Sequence, residues 1–169
     1  MRIVASLAAL AALAFAQTAA AATVTIAPVT FAPEFQPKLE EKFGSREGPY
    51  LQRAVTDIVT DALSRAGAQV GPGGNVTVEV TVNDAAPTRP TMLQLNQVGL
   101  DYSRSISTGG ADLHAVLRGA DGHVITEVNH RYFSPSLNDA IVAGTWSDAN
   151  HAIHLFAERV AAAYRANAG

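Results

Sequence analysis

Three polar side chains, His151, His154 and Glu158, come nearest to a spacing that could do chemistry. On a helix advancing about 100° per residue they fall within roughly 60° of one another. Two imidazoles and a carboxylate could hold zinc or copper and leave a coordination position open. The same arc lies almost opposite the apolar row Ile153, Phe156 and Val160, so the favoured reading is a solvated polar face. On such a face nothing would orient the rings. His130, beside Arg131, has no partner that the sequence names. The chain contains no G-x-S-x-G elbow and no H-E-x-x-H pair. Gly71 to Gly74 includes Pro72 and lacks the Lys-Ser/Thr of a phosphate loop, so it reads as a turn. No catalytic residue and no cofactor is therefore assigned, and a small hydrolase or metal-binding protein is kept as the alternative to a binding role.

A second group of residues points to contact rather than catalysis. Arg89 sits between Pro87-Thr88 and Pro90, and Asp101, Tyr102 and Arg104 follow in the same connection. Arginine and tyrosine on a proline-stiffened segment are what protein-binding surfaces favour. The plainer alternative is that the prolines shape a crossover and Arg89 pairs with a nearby acid. Phe35, Leu39 and Phe43 recur every fourth residue, which aligns them on one helical face. That face either tucks onto the core, the favoured reading, or is offered to a partner.

The elements that must position these residues begin after a distinctive first stretch. Met1-Arg2, the apolar run Ile3 to Phe15 and the small residues Ala19 to Ala22 form the three-part pattern of a secretory signal peptide. The Ala20-Ala21-Ala22 site predicts cleavage near Ala22, with Ala14-Phe15-Ala16 as a second A-x-A match. An uncleaved anchor is the other reading, but Ile3 to Phe15 falls short of the roughly 20 apolar residues a span needs. The 169-residue chain has no cysteine, which excludes a lipid-anchored thiol, a disulfide framework and thiolate metal sites. Without the leader, 11 basic side chains face 15 acidic ones, a formal charge of −4. That balance argues against nucleic acid or an anionic membrane as the main partner.

Thr23 to Phe31 alternates polar and β-branched residues and predicts a strand, with Pro28 against full pairing. Pro37 suits the first turn of a short helix and Gly44 its end. A longer helix follows from Pro49 to Gly67 on the stripe Leu51, Val55, Ile58, Val59, Ala62 and Leu63. Asn75 to Asn83 predicts a half-buried strand with Val76, Val78, Val80 and Val82 inward. A connection of about 25 residues comes next, and part of it, Leu100 to Ser107, is expected to extend the following strand. Ala111 to Phe133 predicts a hairpin turning at Gly119 to Gly122, with Leu117 opposite Val124, Leu113 opposite Val128, His114 opposite Glu127 and Arg118 opposite His123. A final helix is capped by Thr145 with Asp148, is anchored by Trp146, and buries Ala149, Ile153, Phe156, Val160 and Tyr164.

These elements predict one α+β domain over residues 23–169, in the order β-α-β-β-β-α. The expected form is a two-layer sandwich: a mixed, mostly antiparallel sheet of about four strands with two long helices on one face. The run Val24 to Phe31, the helix ending Leu63-Ser64-Arg65-Ala66-Gly67, the valine strand, the hairpin and the last helix together resemble the TolB amino-terminal domain and similar small envelope accessory modules. The resemblance implies a periplasmic or secreted protein with a non-enzymatic binding or assembly role and an envelope protein as partner. The resemblance carries no functional residue across. The acidic balance speaks against a nucleic-acid ligand, and the missing cysteine and short apolar run against a stable membrane anchor once the leader is gone.

Overall fold

Val76–Ala86 (β4) is the strand on which the sheet is assembled. In the computed structural model, which describes residues 23–97, 99–138 and 143–168, its inward valines 76, 78, 80 and 82 are all less than 5% exposed. Thr77, Glu79 and Thr81 alternate to the wetter face. On one side β4 pairs parallel with Thr23–Ile26 (β1) and, further along, with Thr30–Phe31 (β2). The expected first strand is thus cut in two. Pro28 falls in the gap, where its missing N–H removes no ladder bond. Gln69–Val70 (β3) adds a short parallel pair outside β1.

On its other side β4 pairs antiparallel with Gly110–Gly119 (β5), and β5 pairs antiparallel with Val124–Phe133 (β6). The fold is mixed α+β with a mixed sheet of six strands in place of the expected four. The two additional strands are the second half of the split first strand and the two-residue β3, both too short for a two-residue period to reveal. The expected leader lies outside the described residues. Among the described residues, no helix is long and apolar enough to cross a membrane.

The helices follow the apolar spacing closely. Phe35–Lys38 (α1) continues into a π-helical turn over Leu39–Phe43. Glu47–Arg65 (α2) buries Leu51, Val55, Val59, Ala62 and Leu63, with Ile58 half-buried. Gly67, at φ +89°, ends it as expected, and Ala68 N–H donates to Leu63 O at 3.0 Å. Ser147–Ala168 (α4) buries all five residues of its expected stripe, Ala149, Ile153, Phe156, Val160 and Tyr164. α2 and α4 pack on each other, and α4 lies on β5 and β6.

The hairpin turns where expected, with Gly119 N–H donating to His123 O at 3.0 Å, but its register differs by two residues. Leu117 faces Thr126, Ala115 faces Val128 and Leu113 faces His130, with a bulge between Leu117 and Arg118. A two-residue shift keeps every side chain on its face, so the apolar pattern cannot distinguish the two registers. His114 lies opposite Asn129 and still reaches Glu127 diagonally at 3.2 Å. Arg118 is opposite Val124 and bonds Glu79 on β4 at 2.9 Å, while His123 turns back onto Asp121. The expected strand over Leu100 to Ser107 is not formed. β4 instead runs on to Ala86, and the connection holds a one-turn helix, Met92–Leu95 (α3).

Placing a carboxylate at a fully buried valine costs more than the protein's marginal stability allows. Val80→Asp should therefore abolish the cooperative thermal transition. Glu79→Lys should lower stability by roughly 1 kcal/mol or less, because the pair it breaks with Arg118 is exposed. Circular-dichroism melting of both variants checks the assigned inner face, and equal losses would contradict it.

Candidate functional site

The connection between β4 and β5 is fastened down by a small set of buried polar groups. Thr88 is fully buried. Its N–H donates to Thr145 O at 2.7 Å, and its Oγ1 accepts from Asp148 N–H at 3.1 Å. Asp148 in turn accepts from Gly109 N–H at 2.9 Å through Oδ2. Thr88 O accepts from Ser107 N–H at 3.0 Å, and Pro87 O accepts from Ser107 Oγ at 2.7 Å. Gly109 cannot be larger, since a Cβ there would meet Thr88 Oγ1 at 2.6 Å. The first turn of α4 is therefore capped from a distant segment, and the expected Thr145–Asp148 local cap is not made. A threonine sixty residues away satisfies the helix donor that sequence proximity had assigned to Thr145.

Arg89 is the centre of this arrangement. It is only 6% exposed. Its Nε donates to Ala143 O at 2.6 Å, and Nη1 donates to Tyr102 O at 2.7 Å and Ser103 O at 3.1 Å. The guanidinium thus ties the far part of the connection to the segment leading into α4, and its carbon lies 5.5 Å from the Tyr102 ring centre. Arg89 is a positioning residue beneath the surface, not the exposed contact its proline flanks suggested. Asp101 is exposed and makes a local turn, its Oδ1 accepting from Ser103 N–H at 2.8 Å and Arg104 N–H at 2.9 Å. Arg104 is exposed on the same turn.

Among polar neighbours, this framework also presents large apolar side chains to solvent. Met92 is 68% exposed and Tyr102 44%, both forming a crest along one cleft, and Leu93 and Leu100 are exposed on the same connection. α3, which carries Met92 and Leu93, is closed by a capping box: Gln94 N–H donates to Thr91 Oγ1 at 3.3 Å and Thr91 N–H to Gln94 Oε1 at 3.0 Å. A cleft of about 320 Å³ lies between this crest and the starts of α2 and α4, with Tyr50, Met92, Leu95, Tyr102, Trp146 and Asn150 in its wall. Trp146 is anchored by a 2.6 Å bond from Nε1 to Glu47 Oε2 and an edge contact with Phe43. Asn150 Nδ2 donates to Tyr50 Oη at 3.0 Å, while Asn150 Oδ1 is enclosed with no hydrogen-bond partner among the described residues. On the other flank, a cleft of about 360 Å³ is lined by Phe43, Pro87, Pro90, Leu100 and Ile106, with Lys38 at its edge.

Of the residues singled out by sequence, only Tyr102 joins this crest through an exposed side chain. Phe35, Leu39 and Phe43 are 1%, 2% and 6% exposed and belong to the core, as the tucked reading had it. Sequence reasoning missed Tyr50, and took in Met92, Leu93 and Leu100 only as part of the Ala85 to Arg104 connection without naming them as contacts. The one available signal was Met92-Leu93, two adjacent large apolar residues within a proline-punctuated connection.

The histidine group does not converge. His151 packs its ring edge-on against Tyr132, and Glu158 accepts from Arg65 at 2.6 Å. No group of three metal-ligating side chains occurs among the described residues. His130 differs in being 8% exposed, its Nε2 enclosed without a hydrogen-bond partner among the described residues. Burial holds its pKa below the usual histidine value, assisted by Arg159 and His151 and opposed by Asp112.

No family model and no curated protein matches the chain. Solved structures do. The PelC dodecamer from Paraburkholderia phytofirmans matches at a TM-score of 0.51 and 9% identity, covering 86% of this chain and 87% of that one. XCC0632 from Xanthomonas campestris, a DUF330 protein, matches at TM-score 0.45 and 11% identity over 88% of this chain and 86% of that one. The Chlamydia trachomatis protein CT253 matches at 0.42 and 12%, over 88% and 96%. At these identities, the PelC likeness shows a shared fold and nothing further.

Two outcomes follow from this geometry. Arg89→Ala should cost about 2–3 kcal/mol in urea unfolding, because it removes a buried side chain and the bonds that tie two segments together, whereas Met92→Ala should be nearly neutral. His130 binds its proton less readily folded than unfolded. Stability should therefore be full above the ordinary histidine pKa of about 6.5 and fall as pH drops below it, levelling off beneath the folded pKa. His130→Gln should flatten that part of the urea-midpoint profile between about pH 7 and 5.

Proposed function

We propose that the chain is an exported, soluble protein of the cell envelope, periplasmic or secreted, and acts as a non-enzymatic binding or assembly module. The observation that carries this reading is the apolar crest of Met92 and Tyr102, with Leu93 and Leu100 exposed on the same connection, which buried polar groups hold rigid. An ordered loop that spends its buried hydrogen bonds on fixing its own backbone, while leaving large apolar side chains in water, has the character of a contact surface. The partner it suits is another envelope protein that presents apolar side chains. The leader pattern of residues 1–22 and the TolB-like order of elements support the location. PelC, whose fold this chain shares, is itself a dodecamer, so the architecture is compatible with assembly.

Photo-crosslinking from position 92 or 102 in intact cells tests the role. Specific adducts should form from both positions and disappear when Leu93→Asp and Leu100→Asp are introduced together, with the melting temperature unchanged. Adducts that persist in that variant would place the contact elsewhere. Mass spectrometry of the processed protein should find an N-terminus at or next to Thr23, and an intact Met1 in the membrane fraction would overturn the location.

A further inference from the structure

β6 ends the sheet, and no strand lies beyond it among the described residues. It is ten residues long, VITEVNHRYF, with neither proline nor lysine to blunt it. Ser134 N–H donates to Gly109 O at 2.8 Å, and the pairs Ala111–Tyr132, Leu113–His130 and Ala115–Val128 continue that series. Antiparallel geometry then turns the N–H and C=O of Val128, His130 and Tyr132 toward β5, and those of Glu127, Asn129 and Arg131 outward. The three outward residues are also the ones whose side chains are exposed.

We propose that this edge pairs, antiparallel and about a two-fold axis at Asn129, with β6 of a second copy of the chain. The charge pattern selects both the occupant and the register. A two-fold axis at Glu127 or at Arg131 sets like charges directly opposite. An axis at Val128 or His130 leaves both charges facing uncharged residues. An axis at Asn129 sets Glu127 of each copy opposite Arg131 of the other, twice over, and brings the two Asn129 residues into a hydrogen-bonded pair. Both charged groups have room to respond. Arg131 is 66% exposed in its side chain and uses Nη1 on Asp112 Oδ2, while Glu127 is 53% exposed and uses Oε2 on His114. The pairing satisfies the outward backbone groups of both copies and joins two six-stranded sheets into one. It stands apart from the Met92–Tyr102 crest, so neither proposal depends on the other.

The absence of cysteine makes the register directly readable. Directly opposed residues of a hydrogen-bonded antiparallel pair have Cα atoms about 5.5 Å apart, within disulfide reach. Asn129→Cys, prepared without reductant, should run as a covalent dimer, whereas Glu79→Cys should stay monomeric. By sedimentation equilibrium, Glu127→Arg and Arg131→Glu should each weaken the wild-type dimer about tenfold or more. Mixing the two variants should restore a heterodimer, since each arginine pair then faces a glutamate pair. Asn129→Pro removes an outward N–H with no bond to β5, so it should give a folded monomer. A wild-type chain that is monomeric at every concentration would overturn the proposal. So would a dimer that survives Asn129→Pro or that ignores both charge reversals.

Discussion

The buried guanidinium of Arg89 is the constraint on which the exposed part of this molecule depends. Removing a cation from water is costly unless its donors are met, and here backbone carbonyls from two distant segments accept from Nε and Nη1. Having satisfied Arg89, the carbonyls of Ala143, Tyr102 and Ser103 are no longer free to wander. Thr88 and Asp148 do the same from the neighbouring side, closing the connection onto the first turn of α4. Met92, Leu93 and Tyr102 therefore stand on a fixed base, which is the preorganisation that the proposed contact surface requires.

Much of the fold was legible in the sequence because the signals for it are local. The valine row of β4, the stripes of α2 and α4 and the glycine stop at Gly67 each follow from a period or a cap spanning a few residues. What was not legible is what depends on distance along the chain. The hairpin register slipped by two because a two-residue shift preserves the inner face, and the bulge at Leu117 that sets the actual register carries no sequence mark. The α4 cap was assigned to Thr145, the nearest hydroxyl, whereas Thr88 supplies it from far upstream.

The candidate site was legible only in part, for a related reason. Arginine between prolines signals a shaped segment but does not say whether the side chain points in or out. Arg89 points in, and the apolar residues beside it point out, the reverse of what polarity alone suggests. Phe35, Leu39 and Phe43 show the opposite case: a regular spacing that the core simply consumes. His151 and Glu158 share a helix face, yet each is drawn to a neighbour on another element, Tyr132 and Arg65, which helical geometry alone could not foresee.

The position of β1 has a consequence for how the chain reaches this structure. The strand that begins at Thr23 is not at the rim but between β3 and β4, and its Val24 meets Val76 more than fifty residues later. Parallel contacts of such separation carry a large loop-closure cost and form slowly, whereas the β5–β6 hairpin closes over only a few residues. Topology alone leads one to expect the hairpin early, β4 onto the hairpin, and the Thr23–Ile26 strand inserted late. Until that insertion, one edge of β4 stays unpaired, and the nascent chain remains open for as long as its first strand is held elsewhere.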